Sequence, residues 1–144
     1  MSTNPERAVS YVLSKYVTEY MDKDVLILSK NTQTREAARM LRHYETDDIV
    51  VTDDEKKPVG IVTDEDILNK VSDATVYAEA TKLKDVMSAP LITINEKATL
   101  QDALHKMRDN DIRKLPVISK KNQIMGIIFQ STIANVIRNA TSTA

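Results

Sequence analysis

The strongest constraint on this chain is an internal repeat. Only two glycines occur in 144 residues, Gly60 and Gly126, and they stand 66 positions apart inside apolar runs. Gly60-Ile61-Val62-Thr63-Asp64-Glu65-Asp66 is answered by Gly126-Ile127-Ile128-Phe129-Gln130-Ser131-Thr132. The register holds without a gap on either side. Met21 matches Met87, Ala37 matches Ala103, Arg42 matches Arg108, Val51 matches Val117, Ile67 matches Ile133 and Asn69 matches Asn135. Identities are few, but apolar positions agree almost throughout, as expected of two copies of one small fold.

The copies run from Val17 to Val71 and from Leu83 to Arg138, and each parses the same way. Val25 to Leu28 and Leu91 to Ile94 are short β-rich runs. An amphipathic helix follows, with Thr34, Ala37, Ala38 and Leu41 on one stripe and Leu100, Ala103, Leu104 and Met107 on its counterpart. Thr99 and Asp102 have the spacing of a capping box. Two apolar strands come next, Ile49 to Thr52 with Val59 to Val62, and Leu115 to Ile118 with Ile124 to Ile128. The turns 53–57 and 119–123 join them as hairpins. A second helix closes each copy, Asp64 to Val71 and Ser131 to Arg138. The fold class is α+β, two tandem β-α-β-β-α units. One unit of about 55 residues buries too little surface to stand alone, so the two are expected to share a core, sheet to sheet. A helix over Pro5 to Tyr16 precedes them, with Pro5 suited to a first-turn position. Residues 72–82 form a polar linker with a helical turn around Tyr77, and residues 139–144 a fraying tail.

Composition removes several function classes. The chain carries 20 basic and 21 acidic residues and no cysteine. The balance and the lack of a basic stripe argue against a phosphate-backbone binder. The missing cysteine excludes disulfides, thiolate zinc sites and thiol nucleophiles. No apolar run approaches the ~20 residues that span a bilayer, and Met1 to Arg7 lacks the layout of a signal peptide. The expected setting is soluble and cytoplasmic. No nucleophile–base–orienter set emerges, and no Gly-x-x-x-x-Gly-Lys phosphate loop, so an enzyme is not expected.

The duplicated unit, the Leu115-Pro116-Val117 strand and the strand-ending glycine followed by hydrophobic-x-Thr-x-x-Asp resemble a CBS domain pair, the Bateman module. The resemblance covers Val17 to Ile137. It implies pseudo-twofold symmetry and two clefts for adenosine-type ligands, each built crosswise from both units. The first cleft would take Gly60, Thr63 and Asp66 from one unit, with Leu91, Ile92, Thr93, Arg113 and Lys114 from the other. Asp66 would hold the ribose hydroxyls and Thr63 a phosphate oxygen. The backbone of 91–93 would meet the adenine, and Arg113 and Lys114 the phosphates. An ionised carboxylate is acceptor-only and suits a diol, and a helix N-terminus suits an anion. The implied ligand is AMP, ADP or ATP, with S-adenosylmethionine and NAD in the same class, and no catalytic cofactor.

The second cleft departs from the pattern. Phe129 replaces the hydroxyl, Thr132 the acid, and Asp47 and Asp48 stand where Arg113 and Lys114 stand in the first. It is expected to reject nucleotide polyphosphates and to be filled by Phe129.

Plainer readings stand beside these. Thr63-x-x-Asp66 reads equally as a helix cap, and Arg113-Lys114 as a solvated strand edge. The run Asp64-Glu65-Asp66 lies on a helix, where the three side chains diverge and cannot share a metal. His43 and His105 have no partner acid or nucleophile at meaningful spacing. Two functions therefore compete: a regulatory adenosyl sensor, and an interaction or scaffolding domain with empty clefts. A homodimer through the helix faces 35–44 and 101–108 and an effector protein of unknown identity are implied on either reading. No membrane contact is expected, and nucleic-acid binding is disfavoured.

Overall fold

A computed structural model describes residues 4–73 and 81–142. The elements are α1 (Pro5–Leu13), β1 (Leu26–Ser29), α2 (Thr34–His43), β2 (Asp48–Thr52), β3 (Pro58–Thr63), α3 (Asp64–Asp73), α4 (Leu83–Val86), β4 (Ile94–Asn95), α5 (Leu100–Asp109), β5 (Lys114–Ile118), β6 (Ile124–Phe129) and α6 (Gln130–Thr141), with a 3-10 turn at Val17–Glu19. They form two three-stranded sheets, ordered β1-β2-β3 and β4-β5-β6. The first two strands of each sheet are parallel and the last two antiparallel. The duplication extends to single pairings. Val51 faces Gly60 as Val117 faces Gly126, and Leu28 faces Val51 as Ile94 faces Val117. Among the described residues no helix is long and apolar enough to cross a membrane.

Several boundaries differ from the sequence reading. The first helix stops at Leu13, where the Ser14 N–H turns back onto Ser10 and Tyr11. Its start is as expected, Pro5 in the first turn behind Asn4, whose side chain accepts from the Glu6 N–H. The strand expected over Leu91 to Ile94 is only Ile94–Asn95. The cause is Pro116. Ile118 faces β4, since its carbonyl accepts from the Glu96 N–H. Position 116, two residues back, faces the same way and has no N–H to give. Its counterpart Val50 keeps that donor, and β1 is four residues long. α6 continues to Thr141, whose hydroxyl donates to the Ile137 carbonyl, so the tail is helical past Asn139. Ala38, placed on the buried stripe, is exposed, whereas Thr34, Ala37 and Leu41 are buried as expected. The helical turn expected around Tyr77 lies outside the described residues.

Both α2 and α5 end without glycine. Glu45 and Asp111 take left-handed backbone, φ 52° and 51°. Each completes a Schellman motif, with Thr46 N–H to the Leu41 carbonyl and Glu45 N–H to that of Arg42, repeated as Ile112 to Met107 and Asp111 to Arg108. The hairpins repeat the device at Lys56 (φ 65°) and Asn122 (φ 59°).

Packing does not follow the repeat boundaries. One compact unit is residues 24–92; the other is residues 1–23 with 93–144. The leader of each repeat is therefore built into the sheet of the other. In the 24–92 unit, Leu83 is fully buried in a core with Ala37, Leu41, Ile49, Val51, Val62 and Ile67. Ser88 exchanges backbone hydrogen bonds with Ile61 on β3, 2.9 and 3.1 Å. In the other unit Val17 is fully buried, and Asp22 exchanges bonds of 2.8 and 2.9 Å with Ile127 on β6. There α1 packs on α5 and α6.

These crossings explain both glycines. A Cβ at Gly60 would lie 2.5 Å from Met87 Sδ and 3.0 Å from the Ser88 carbonyl oxygen. At Gly126 it would lie 2.6 Å from the Asp22 carbonyl oxygen and 2.7 Å from Met21 Sδ. A side chain can swing away, but a backbone carbonyl held in a two-bond bridge cannot. Gly126→Ala is therefore expected to cost roughly 1–3 kcal/mol and not to be rescued by Met21→Ala. Gly60→Ala should cost less and be partly rescued by Met87→Ala. Urea unfolding of the four variants tests this. Lys56→Asn, which copies Asn122, should stabilise by roughly 0.5–1 kcal/mol, because asparagine tolerates the left-handed region, read as a rise in melting temperature.

Candidate functional site

The glycine motif ends each antiparallel hairpin and opens a helix. In the 24–92 unit, Thr63 is the last residue of β3 and Asp64 the first of α3. Asp66 Oδ2 accepts from the Thr63 N–H at 2.9 Å, and Thr63 Oγ1 accepts from the Asp66 N–H at 3.1 Å. This is a reciprocal capping box. Thr99 and Asp102 make the same pair of bonds at 2.9 and 3.1 Å at the start of α5, as the sequence indicated. The capping reading of Thr63-x-x-Asp66 thus holds in the structure. Thr63 and Asp66 are both half-buried, so each can meet solvent while capping. A carboxylate has four lone-pair positions, and the cap uses one oxygen of Asp66.

In the other unit, α6 opens at Phe129 with no side-chain cap. Phe129 is half-buried, as is Thr132. Both helix starts share one backbone anchor. The Asp64 N–H donates to the Asp47 carbonyl at 3.1 Å, and the Gln130 N–H donates to the Arg113 carbonyl at 2.8 Å. The residue pair ahead of each central strand is thereby held beside the helix start. Asp48 lies opposite Thr63 across the ladder, and Lys114 opposite Phe129.

Within one unit, then, Thr63 and Asp66 are grouped with Asp47 and Asp48, while Arg113 and Lys114 are grouped with Phe129 and Thr132. Asp48 is buried and Lys114 half-buried; Asp47 and Arg113 are exposed. The two equivalent ends carry opposite charge. One holds Asp47, Asp48, Asp64, Glu65 and Asp66; the matched positions of the other are Arg113, Lys114, Gln130, Ser131 and Thr132. A near-zero net charge conceals this. The end with Arg113 and Lys114 attracts an anion, and the carboxylate-rich end repels one. Gly60, Leu91 and Ile92 fall in the unit 24–92, and Thr93 in the other. Gly60 is buried mid-strand, and its packing against Met87 and Ser88 is sufficient reason for a glycine. Leu91, Ile92 and Thr93 are half-buried. Sequence reasoning missed Lys106, whose Nζ donates to the Thr93 carbonyl; a lysine on an exposed helix face carries no signal of its own.

A groove of about 550 Å³ lies between α2 and α3 in the 24–92 unit, with Ala38, Leu41, Ile67 and Leu68 as its apolar floor. Leu68 is 67% exposed. Arg42, Asp47 and Asp64 are on the rim.

The CBS domain family matches residues 17–73 and again 83–139. The chain belongs to the CBS domain family. An uncharacterized protein of Methanopyrus kandleri is 28% identical over 83% of this chain and 61% of its own length. The inosine-5′-monophosphate dehydrogenase of Methanocaldococcus jannaschii is 32% identical over 79% of this chain and 22% of the enzyme. The chain thus spans less than two thirds of either relative. A solved CBS domain pair, in complex with 5′-methylthioadenosine and S-adenosyl-L-methionine, superposes with a TM-score of 0.72 at 22% identity, over 85% of this chain and 98% of that one. That likeness establishes the fold.

The cap made by Thr63 and Asp66 yields a stability test. Thr63→Ala and Asp66→Ala should each cost about 1 kcal/mol through the lost cap. Asp66→Asn, which keeps an acceptor for the Thr63 N–H, should cost a few tenths. Denaturant unfolding followed by circular dichroism measures all three.

Proposed function

We propose that the chain is a regulatory module that binds an adenosyl compound and relays occupancy by a conformational change. The ligand is an adenine nucleotide, AMP, ADP or ATP. It is held by Gly60, Thr63 and Asp66 of the first repeat and by Leu91, Ile92, Thr93, Arg113 and Lys114 of the second. The observation that carries this reading is the opposed chemistry of the two repeats. One keeps the hydroxyl and acid of the glycine motif, and the other keeps the paired cations. The CBS family and the adenosyl ligands of the superposed domain pair support it. Asp66 would hold the ribose diol on the oxygen its cap leaves over. Arg113 and Lys114 would take phosphate oxygens through charge-assisted bonds of roughly 1.5–3 kcal/mol each. The reciprocal set, Phe129 and Thr132 with Asp47 and Asp48, offers a phenyl ring and two carboxylates and rejects polyphosphates, so one nucleotide binds per chain. Binding shifts the protein between states only as far as its affinity for them differs.

The regulatory reading extends to assembly. The exposed helix faces 35–44 and 101–108 are the surfaces for self-association, and the module acts as a cytoplasmic homodimer on an effector protein. Catalysis is not part of the proposal.

A second reading, a ligand-free scaffolding domain, is favoured by one observation: capping and packing alone account for Thr63, Asp66 and Gly60. Titration calorimetry with AMP, ADP, ATP, adenosine, S-adenosylmethionine and NAD separates the two. Sensing requires binding at one site per chain. Asp66→Asn should weaken every ligand at least tenfold while folding stability is retained. Lys114→Gln should weaken AMP by roughly 10- to 100-fold and leave adenosine unchanged. Absence of binding by all six at millimolar concentration would establish scaffolding instead.

A further inference from the structure

The sharpest local difference between the repeats, outside the glycine motif, is at the first strand. In the first repeat Ile27 is paired with Val50 in the parallel ladder. In the second, Pro116 replaces Val50, the ladder begins at Ile94, and Thr93 stands just outside it. At that point Lys106, on the exposed side of α5, reaches across and donates its ammonium to the Thr93 carbonyl. Position 40 of the first repeat, the counterpart of Lys106, is methionine, which has no donor. The tether therefore exists only where the ladder is shortened. It is also the only repeat whose first-strand backbone is proposed above to meet an adenine.

We infer that Lys106 is a positioning residue for base recognition, acting through the main chain of Thr93. This rests on the adenosyl-binding reading. A backbone segment reads a purine edge by fixed donors and acceptors, and adenine and hypoxanthine present opposite patterns at N1 and position 6. The discrimination depends on holding the segment still, because a mobile carbonyl and N–H can adapt to either base. A charged donor makes a stronger hydrogen bond to a carbonyl than a neutral one. The Nζ is committed to protein backbone, so the role differs from that of Arg113 and Lys114. It affects which base binds, not how strongly the phosphate is held.

The test measures dissociation constants for AMP and IMP with the wild type, Lys106→Met and Lys106→Arg. Methionine is the residue that the first repeat carries at this position, so folding is preserved; melting of the ligand-free proteins checks it. The wild type should prefer AMP. Lys106→Met should reduce that preference about five- to tenfold, mainly by weakening AMP, and Lys106→Arg should restore most of it. The inference is overturned if Lys106→Met keeps the wild-type preference, if it weakens AMP and IMP in equal proportion, or if the wild type does not distinguish them. Failure of the wild type to bind any adenosyl ligand is a different result, and overturns the sensing proposal together with this one.

Discussion

The structure depends on two backbone crossings. In each, a leader segment lies against the middle of an antiparallel hairpin, and its carbonyl crowds the place a Cβ would take, beyond what a Cβ allows at Gly126 and at the tight limit of contact at Gly60. Ser88 does this at Gly60 and Asp22 at Gly126. The crossings have a topological consequence. Because each leader belongs by sequence to one repeat and by packing to the other sheet, neither compact unit is a contiguous copy of the repeat. A single copy would lack the residue, Leu83 or Val17, that closes its own core. A duplicated unit too small to bury a core by itself gains from its sibling a strap that fills the core and bonds to the outer strand.

The same geometry places the chemistry. A strand that must accommodate a crossing backbone ends three residues later at a helix start, where N–H groups point outward. In one repeat that start is closed by the Thr63–Asp66 capping box; in the other, Phe129 leaves it to the backbone bond from Gln130 to Arg113. One copy lacks the hydroxyl and the acid, and the other lacks the paired cations. Neither packing unit then contains both the hydroxyl–acid pair and the paired cations. The capping role of Asp66 also makes alanine a poor probe there, since it removes a structural bond and any ligand bond at once.

Much of the element order was legible because periodicity is a local property. The stripes Thr34, Ala37, Leu41 and Leu100, Ala103, Met107 are buried as their spacing indicates, and the hairpins fall where turn residues separate apolar runs. The Thr99–Asp102 cap was legible for the same reason: both partners lie within one helical turn. Helix ends were harder to read, because the left-handed positions that usually carry glycine carry Glu45 after α2 and Asp111 after α5. The first strand of the second repeat was overextended because the N–H it would need is missing at position 116, a proline more than twenty residues away in sequence. The matched methionines, Met21 and Met87, were visible as a repeat, but nothing local said that each would pack on a glycine.

By itself the sequence determined the duplication, the α+β class, the family and the opposed chemistry of the two glycine motifs. All of these are read from spacing and residue type. Only the tertiary structure decided which sheet each leader joins, why both glycines are required, and that Thr63 and Asp66 are engaged in a cap. It alone brought Lys106 to the Thr93 carbonyl. These depend on contacts between residues distant along the chain, whose energies come from backbone approach and core closure. A pattern of residue types does not encode which of two nearly identical sheets a segment will choose.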